Sequence, residues 1–188
     1  MDSNSVEFIS LNFLLSVQNE DKVQRLLNTF YCEKDIDIEN FLKNKAIEFE
    51  KRKISRTYLW IDLENKEVAG YFSIGLDVVS IKGINSNNLK KKLNKGYKPK
   101  NDFLFTYLIG QLARSDRYFK KDLSGNEIIK TALAKIKEAQ TAVGGHLVCL
   151  DISYPDRKPN LVKFYTKFGF RELIKINERL TRYFLILE

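Results

Sequence analysis

Cysteine, histidine and proline are nearly absent from the 188 residues: two, one and three respectively. Each scarcity removes a class of function. Cys32 and Cys149 lie far apart and fit no paired metal-ligand spacing, and His146 has no second histidine, so no structural metal is expected. The same two thiols read as reduced and inert in a cytoplasmic protein, not as a disulfide framework. Long hydrophobic runs are also missing. The longest apolar stretches fall well short of the ~20 residues that a membrane helix needs, so a soluble chain with no membrane partner is expected. The leading residues Met1-Asp2-Ser3-Asn4-Ser5 place no basic segment before an apolar run and do not read as a signal peptide. No internal repeat or low-complexity tract is evident.

What is present is core material and positive charge. The chain is 44% hydrophobic with 13 Phe and 9 Tyr, too apolar for disorder, and its length suits one domain spanning residues 1–188. A formal charge of +8 and a pI near 9.3 favour a polyanionic partner: nucleic acid, an acidic protein surface or a phosphorylated cofactor.

Hydrophobic periodicity lays out the elements. Val6 to Leu11 reads as a strand. Leu14 to Thr29 reads as one helix burying Val17, Val23, Leu26 and Leu27. A second helix, capped by Asp37, buries Phe41, Leu42, Ala46 and Phe49 and ends on Lys51-Arg52-Lys53. Thr57 to Leu63 and Val68 to Leu76 form a β-hairpin, in which Gly70 and Gly75 mark bends or close approach. Residues 80–100 break the pattern with Lys90, Lys91, Lys92, Lys95, Lys98 and Lys100. They read as a solvent-exposed, lysine-rich insertion or loop, either simply solvated or binding a polyanion. An apolar strand from Phe103 to Leu112 follows, then a charged turn from Ser115 to Ser124. A helix from Gly125 carries Ile128, Ile129, Ala132, Leu133 and Ile136 on one face and stops at Gly144-Gly145. A strand from His146 to Ser153, a helix from Asn160 to Lys167 closed by Gly169, and strands Leu173 to Ile176 and Arg182 to Leu187 complete the chain. The class is α/β in the α+β sense, with one parallel crossover.

Two stretches carry chemistry. From Phe119 to Gly125 a helix begins, offering unpaired amides and the positive end of a dipole to a phosphate or pyrophosphate. Lys120 and Lys121 add charge beside those amides, and Gly125 permits close backbone approach. Basic residues before a helix are also common without any ligand. The second stretch is Phe164-Tyr165-Thr166-Lys167-Phe168-Gly169-Phe170. A phenol of pKa about 10 is protonated at neutral pH and can give a proton to a departing thiolate. Tyr165 either does this or packs between Leu161 and Phe168. No residue stands out as a base: His146 and Cys149 read as structural, and the case for Asp151 and Ser153 is slight.

On these residues the sequence resembles the GNAT superfamily of acetyltransferases over nearly its whole length, most clearly from Phe103 to Phe170. Tyr107-Leu108-Ile109-Gly110-Gln111-Leu112-Ala113 is similar to the family strand whose main chain pairs with pantetheine. The family's Arg or Gln, two residues, Gly, one residue, Gly or Ala falls on Lys120, Leu123 and Gly125, with a leucine at the first glycine place. A register shifted by one puts Ser124 at the last small position. Asn160, Leu161, Phe164-Tyr165 and Gly169-Phe170 match the family's following block. The resemblance implies a mixed, mostly antiparallel twisted sheet flanked by helices, its central strands splayed around acetyl-CoA as cosubstrate, and no metal. It implies cofactor contacts at Gln111, Leu112, Ala113, Arg114, Lys120, Lys121, Asp122, Leu123, Ser124, Gly125, Asn160 and Phe164, with Tyr165 as general acid.

Phe30-Tyr31-Cys32, Asp37 to Leu42, Thr57 to Trp60 and Val68 to Ser73 narrow the resemblance to the branch containing bacterial toxins that acetylate the amino group of aminoacyl-tRNA. Glu33 stands where that branch usually has glycine. The branch implies direct N-acetyl transfer in a ternary complex to a primary amine on charged tRNA or protein, with an antitoxin or a second copy as partner. Lys51, Arg52, Lys53, Arg56, Lys90, Lys91, Lys92, Lys95, Arg114 and Arg117 are the candidates for RNA phosphates. Two alternatives stay open: acetylation of a small amine, against which the positive charge argues, and a catalytically weak module that binds protein or nucleic acid.

Overall fold

The computed structural model describes residues 6–97 and 101–188. Lys98, Pro99 and Lys100, and the Met1-Asp2-Ser3-Asn4-Ser5 segment read above, lie outside the described residues. The chain divides into two units, residues 1–75 with 109–136 and residues 76–108 with 137–188. Seven strands form a sheet in the order β1 (Val6–Ser10), β2 (Ser55–Asp62), β3 (Glu67–Ser80), β4 (Phe103–Arg114), β5 (Leu147–Ser153), β7 (Leu180–Ile186) and β6 (Arg171–Lys175).

In the first unit, β1 (Val6–Ser10), β2 (Ser55–Asp62) and the part of β3 (Glu67–Ser80) up to Gly75 pair antiparallel, with Phe8 opposite Trp60 and Leu59 opposite Tyr71. Alternation sends Leu59, Ile61 and Tyr71 to one face, where they form a core with Leu11, Leu27, Phe30 and Leu42. The other face carries Phe8, Tyr58, Trp60 and Phe72, whose ring centroids lie 4.8–6.1 Å apart. The N-terminal helical run is two helices, α1 (Leu11–Val17) and α2 (Glu20–Leu27). Asn19 divides them, because its side chain caps α2 by accepting the Lys22 N–H at 2.9 Å. Val17, expected in the buried stripe, is 54% exposed at the end of α1. The next run also breaks, at Lys45, into α3 (Ile36–Asn44) and α4 (Ala46–Lys51). Asp35 occupies the cap position and Asp37 sits in the first turn. Glu39 of α3 accepts the Cys32 N–H at 2.7 Å, which ties the helix start to the preceding loop.

The second unit holds the rest of β3, α5 (Asn87–Leu93), the first half of β4 (Phe103–Arg114), β5 (Leu147–Ser153), α7 (Pro159–Lys167), β6 (Arg171–Lys175) and β7 (Leu180–Ile186). β4 runs parallel to β5 at Tyr107↔Val148 and Leu108↔Cys149, and β5 is antiparallel to β7 from Leu147↔Ile186 to Ser153↔Leu180. Between the units' shares of sequence, α6 (Gly125–Val143) buries Ile128, Ile129, Ala132 and Ile136 and is followed by Gly144 and Gly145 at φ +80° and +92°.

Residues 80–97 are more than a solvated loop. Ile81, Ile84 and Leu93 join Val79, Leu104, Leu147 and Phe184 in a buried cluster, and Ser86 caps α5 by accepting the Leu89 N–H at 3.2 Å. Lys91, Lys92 and Lys95 remain at the surface. His146 Nε2 is 2.6 Å from the Leu93 carbonyl at the end of α5. Cys149 is fully buried, and burial pushes its thiol up to about 11.

Asp151 is engaged structurally. Arg182 donates to both its carboxylate oxygens at 2.8 Å and reaches Asp77 at 2.9 Å, which raises the guanidinium further above its ordinary pKa. Replacing Arg182 by Met leaves two poorly solvated carboxylates facing each other. Arg182→Met is expected to destabilise the protein by roughly 3 kcal/mol, read from the denaturant midpoint at pH 7.

Candidate functional site

The residues of the expected phosphate turn all fall in the first unit. β4 delivers Gln111, Leu112, Ala113 and Arg114, each half-buried. Beyond them the chain is stitched down by two backbone bonds: Ser115 donates to the Ala69 carbonyl and Asp116 to that of Tyr31, both at 2.8 Å. The Tyr118 hydroxyl donates to Asp62 Oδ2 at 3.0 Å. Asp62 also accepts the Glu64 and Asn65 amides and the Asn65 side chain, at 3.0, 3.0 and 2.9 Å. Burial alone would raise the Asp62 pKa. The bonds from Asn65, Tyr118 and Glu64 outweigh it and hold the carboxyl below its ordinary range. Burial and this carboxylate push the Tyr118 phenol well up.

A tight turn follows. The Phe119 carbonyl accepts the Asp122 and Leu123 amides at 3.0 and 3.2 Å, and Asp122 Oδ2 accepts the Phe119 N–H at 2.9 Å. Arg114 Nη1 donates to the Leu123 carbonyl at 3.0 Å. Leu123 itself turns inward and is 1% exposed. The space it fills exists because β3 has a glycine there: a Cβ on Gly70 would stand 2.5 Å from Leu123 Cδ2 and 3.1 Å from the Ala113 carbonyl oxygen. The leucine at the glycine position of the turn is thus drawn into the core.

α6 then starts at Gly125, with Ser124 Oγ accepting the Glu127 N–H at 3.1 Å as its cap. The Ser124, Gly125 and Asn126 amides have no acceptor among the described residues. Together with the helix dipole they suit an anion, and exposed Lys120 and Lys121 lie in the same turn. A polar cleft of about 480 Å³ opens beside it, lined by Asp62, Glu67, Arg117, Tyr118, Lys121 and Asp122. Arg117 is held by Glu67 at 2.6 Å.

Asn160, Phe164 and Tyr165 lie on α7 of the second unit. Pro159 opens this helix and Gly169, at φ +88°, follows its end. Asn160 is exposed and Phe164 half-buried. Tyr165 is 8% exposed, its ring 5.1 Å from that of Phe164 and 5.9 Å from that of Phe170. Burial pushes its phenol up to about 12, so the hydroxyl is neutral throughout the physiological range, and it donates no hydrogen bond among the described residues. Ser153 is occupied, accepting from Lys158 Nζ at 2.9 Å. Asp62, Tyr118 and the pairing of Gly70 with Leu123 escaped the sequence reading. Only Gly70 left a trace there, as a glycine inside a strand.

Two substitutions test this turn. Gly70→Ala is expected to destabilise by about 1–3 kcal/mol through overpacking against Leu123, measured by denaturant unfolding. Tyr118→Phe removes a bond to a charged carboxylate and is expected to cost about 1.5–3 kcal/mol near pH 7. Because the folded Asp62 pKa is depressed, that contribution is present above the unfolded carboxyl pKa and disappears as pH falls through the folded value. A Tyr118→Phe deficit independent of pH down to acid unfolding would contradict the assignment.

No protein-family model and no curated protein matches the sequence. Solved structures do. AtaT complexed with acetyl-methionyl-tRNAfMet superposes with a TM-score of 0.70 at 20% identity, over 97% of this chain and 95% of its own. A tyrosine-to-phenylalanine mutant of KacT gives 0.69 at 16% identity, over 95% and 94%. AtaTR bound with AcCoA gives 0.65 at 18% identity, over 98% and 94%. With its mixed, mostly antiparallel sheet flanked by helices, the chain is a GNAT-fold protein of the architecture seen in AtaT and KacT.

Proposed function

We propose that the chain is an N-acetyltransferase that passes the acetyl group of acetyl-CoA directly to a primary amine, the α-amine of an aminoacyl-tRNA. The observation that carries the reading is the start of α6, where the Ser124, Gly125 and Asn126 amides lack acceptors while Leu123 is withdrawn. Support for the ligand comes from the fold shared with AtaTR bound with AcCoA, and for the acceptor from AtaT complexed with acetyl-methionyl-tRNAfMet.

In this reading those amides hold the diphosphate, with Lys120 and Lys121 adding charge at the turn. The main chain from Gln111 to Arg114 pairs with the pantetheine arm, and Asn160 and Phe164 contribute from α7. The thioester supplies an activated acyl group. Tyr165 acts on the leaving side. Its phenol, pushed up to about 12, stays protonated at neutral pH, gives its proton to the sulfur as the C–S bond breaks to release the CoA thiol, and is restored by the proton that the attacking nitrogen loses on forming the amide. On the attacking side, an α-amino group titrates near 7.7–8.0, so an appreciable share is neutral at pH 7 without a dedicated base. That fits a chain in which His146 and Asp151 are both committed to structural partners. No helix among the described residues is long and apolar enough to cross a membrane, and we assign the reaction to the cytoplasm, where charged tRNA is found. The AtaT mutant bound to the C-terminus of the antitoxin AtaR supports a protein inhibitor as a second partner.

Tyr165→Phe is expected to leave acetyl-CoA affinity nearly unchanged and to lower turnover by about 10²–10⁴-fold. Because the folded pKa is raised, the wild-type rate should show no loss from this group between pH 7 and 10; equal rates for both proteins would remove Tyr165 from the mechanism. Radiolabelled acetyl-CoA incubated with charged tRNA should place label on the aminoacyl amine. Label confined to proteins or small amines would reject the tRNA acceptor while leaving acetyl transfer standing.

A further inference from the structure

The outward face of the second unit is unusually apolar. Past Gly75, β3 and the first half of β4 send alternate side chains to opposite sides: Val79 and Leu104 enter the core, whereas Leu76, Val78, Phe103 and Phe105 point out, 75%, 46%, 52% and 82% exposed. Val143 and Tyr97, 77% and 71% exposed, flank them, and together they frame a cleft of about 930 Å³. Six large apolar side chains exposed together on one face form a contiguous patch, which unlike singly scattered exposed hydrophobics marks an interaction surface.

The rim states which partner fits. Among the described residues no carboxylate lines the cleft. Asp77, between Leu76 and Val78, points to the opposite side and is held by Arg182. The basic end of α5 reaches the rim, since His146, which lines the cleft, bonds the Leu93 carbonyl, and the chain runs from Lys95 through Gly96 into Tyr97. Lys90, Lys91, Lys92 and Lys95 have no carboxylate partner among the described residues. A second copy docked here in a two-fold arrangement would bring the same lysines to the same rim. A flat bilayer does not fit a concave site. We infer that this cleft docks an acidic segment of another protein, its apolar side chains seated on Leu76, Val78, Phe103 and Phe105 and its carboxylates facing the α5 lysines. The inference stands apart from acetyl transfer.

The test is selection of random 16-residue peptides displayed on phage against the wild-type protein, with Phe105→Asp, a change at an exposed position, as the counter-target. The expected result is enrichment of peptides that combine Leu, Ile or Phe with several Asp or Glu. A synthesised, fluorescein-labelled winner should lose about tenfold or more in affinity, by anisotropy, to Phe105→Asp and to the triple variant Lys90→Glu, Lys91→Glu, Lys92→Glu. No enrichment over the counter-target, or enrichment of basic or uncharged sequences, overturns the inference. So does self-association by sedimentation velocity that Phe105→Asp abolishes, which assigns the face to a second copy. Co-sedimentation with phosphatidylserine vesicles that the same variant abolishes assigns it to a membrane and likewise overturns it.

Discussion

Gly70 on β3 and Leu123 in the turn before α6 occupy one space between them. A side chain at Gly70 would stand 2.5 Å from the leucine, so only the absence of a Cβ there allows Leu123 to reach 1% exposure. With Leu123 seated inward, its own amide bonds the Phe119 carbonyl and its carbonyl takes a guanidinium hydrogen from Arg114, which locks the turn from both sides. The amides that follow are the ones left without acceptors. The volume that Leu123 needs thus comes from a different strand, and in the proposed reading its withdrawal leaves the turn open to an anion.

The second unit uses its charges differently. Arg182 between Asp151 and Asp77, and His146 on the end of α5, spend the titratable groups near β5 on holding the fold. Cys149 is sealed by burial, its thiol pushed up to about 11. In the proposed mechanism the acid is the buried Tyr165 phenol, which burial keeps neutral. With His146 and Asp151 held by structural partners, the proposed reading suits an acceptor whose amine is already partly neutral at physiological pH. The structural economy and the proposed substrate point the same way.

The strands were legible because alternation of apolar and polar residues reports burial directly, and the boundaries of β1, β4 and β5 fall within a residue or two of the expectation. Helix breaks were not. Periodicity runs smoothly through Gln18-Asn19 and through Lys45, yet a local side-chain bond from Asn19 starts α2, and Lys45, at φ −128° and ψ −28°, leaves the helical region and separates α3 from α4. The lysines of residues 80–100 hid Ile81, Ile84 and Leu93, three buried positions spaced too irregularly to register as a pattern. At the candidate site the anion turn was readable from residue types, while the fate of Leu123 was not, since it depends on a glycine more than fifty positions away. Asp62 and Tyr118 pair across a similar interval and are invisible for the same reason.

The most direct measurement is a titration with acetyl-CoA of protein labelled with ¹⁵N and with ¹³C at its leucine methyls, followed through its amide and methyl resonances. The account predicts large shifts at Ser124, Gly125 and Asn126, with the Leu123 methyl signals unmoved, and loss of the shifts when desulfo-pantetheine lacking the diphosphate replaces the full ligand. Saturable binding that shifts other amides and leaves those three in place, or no binding at all, would contradict it.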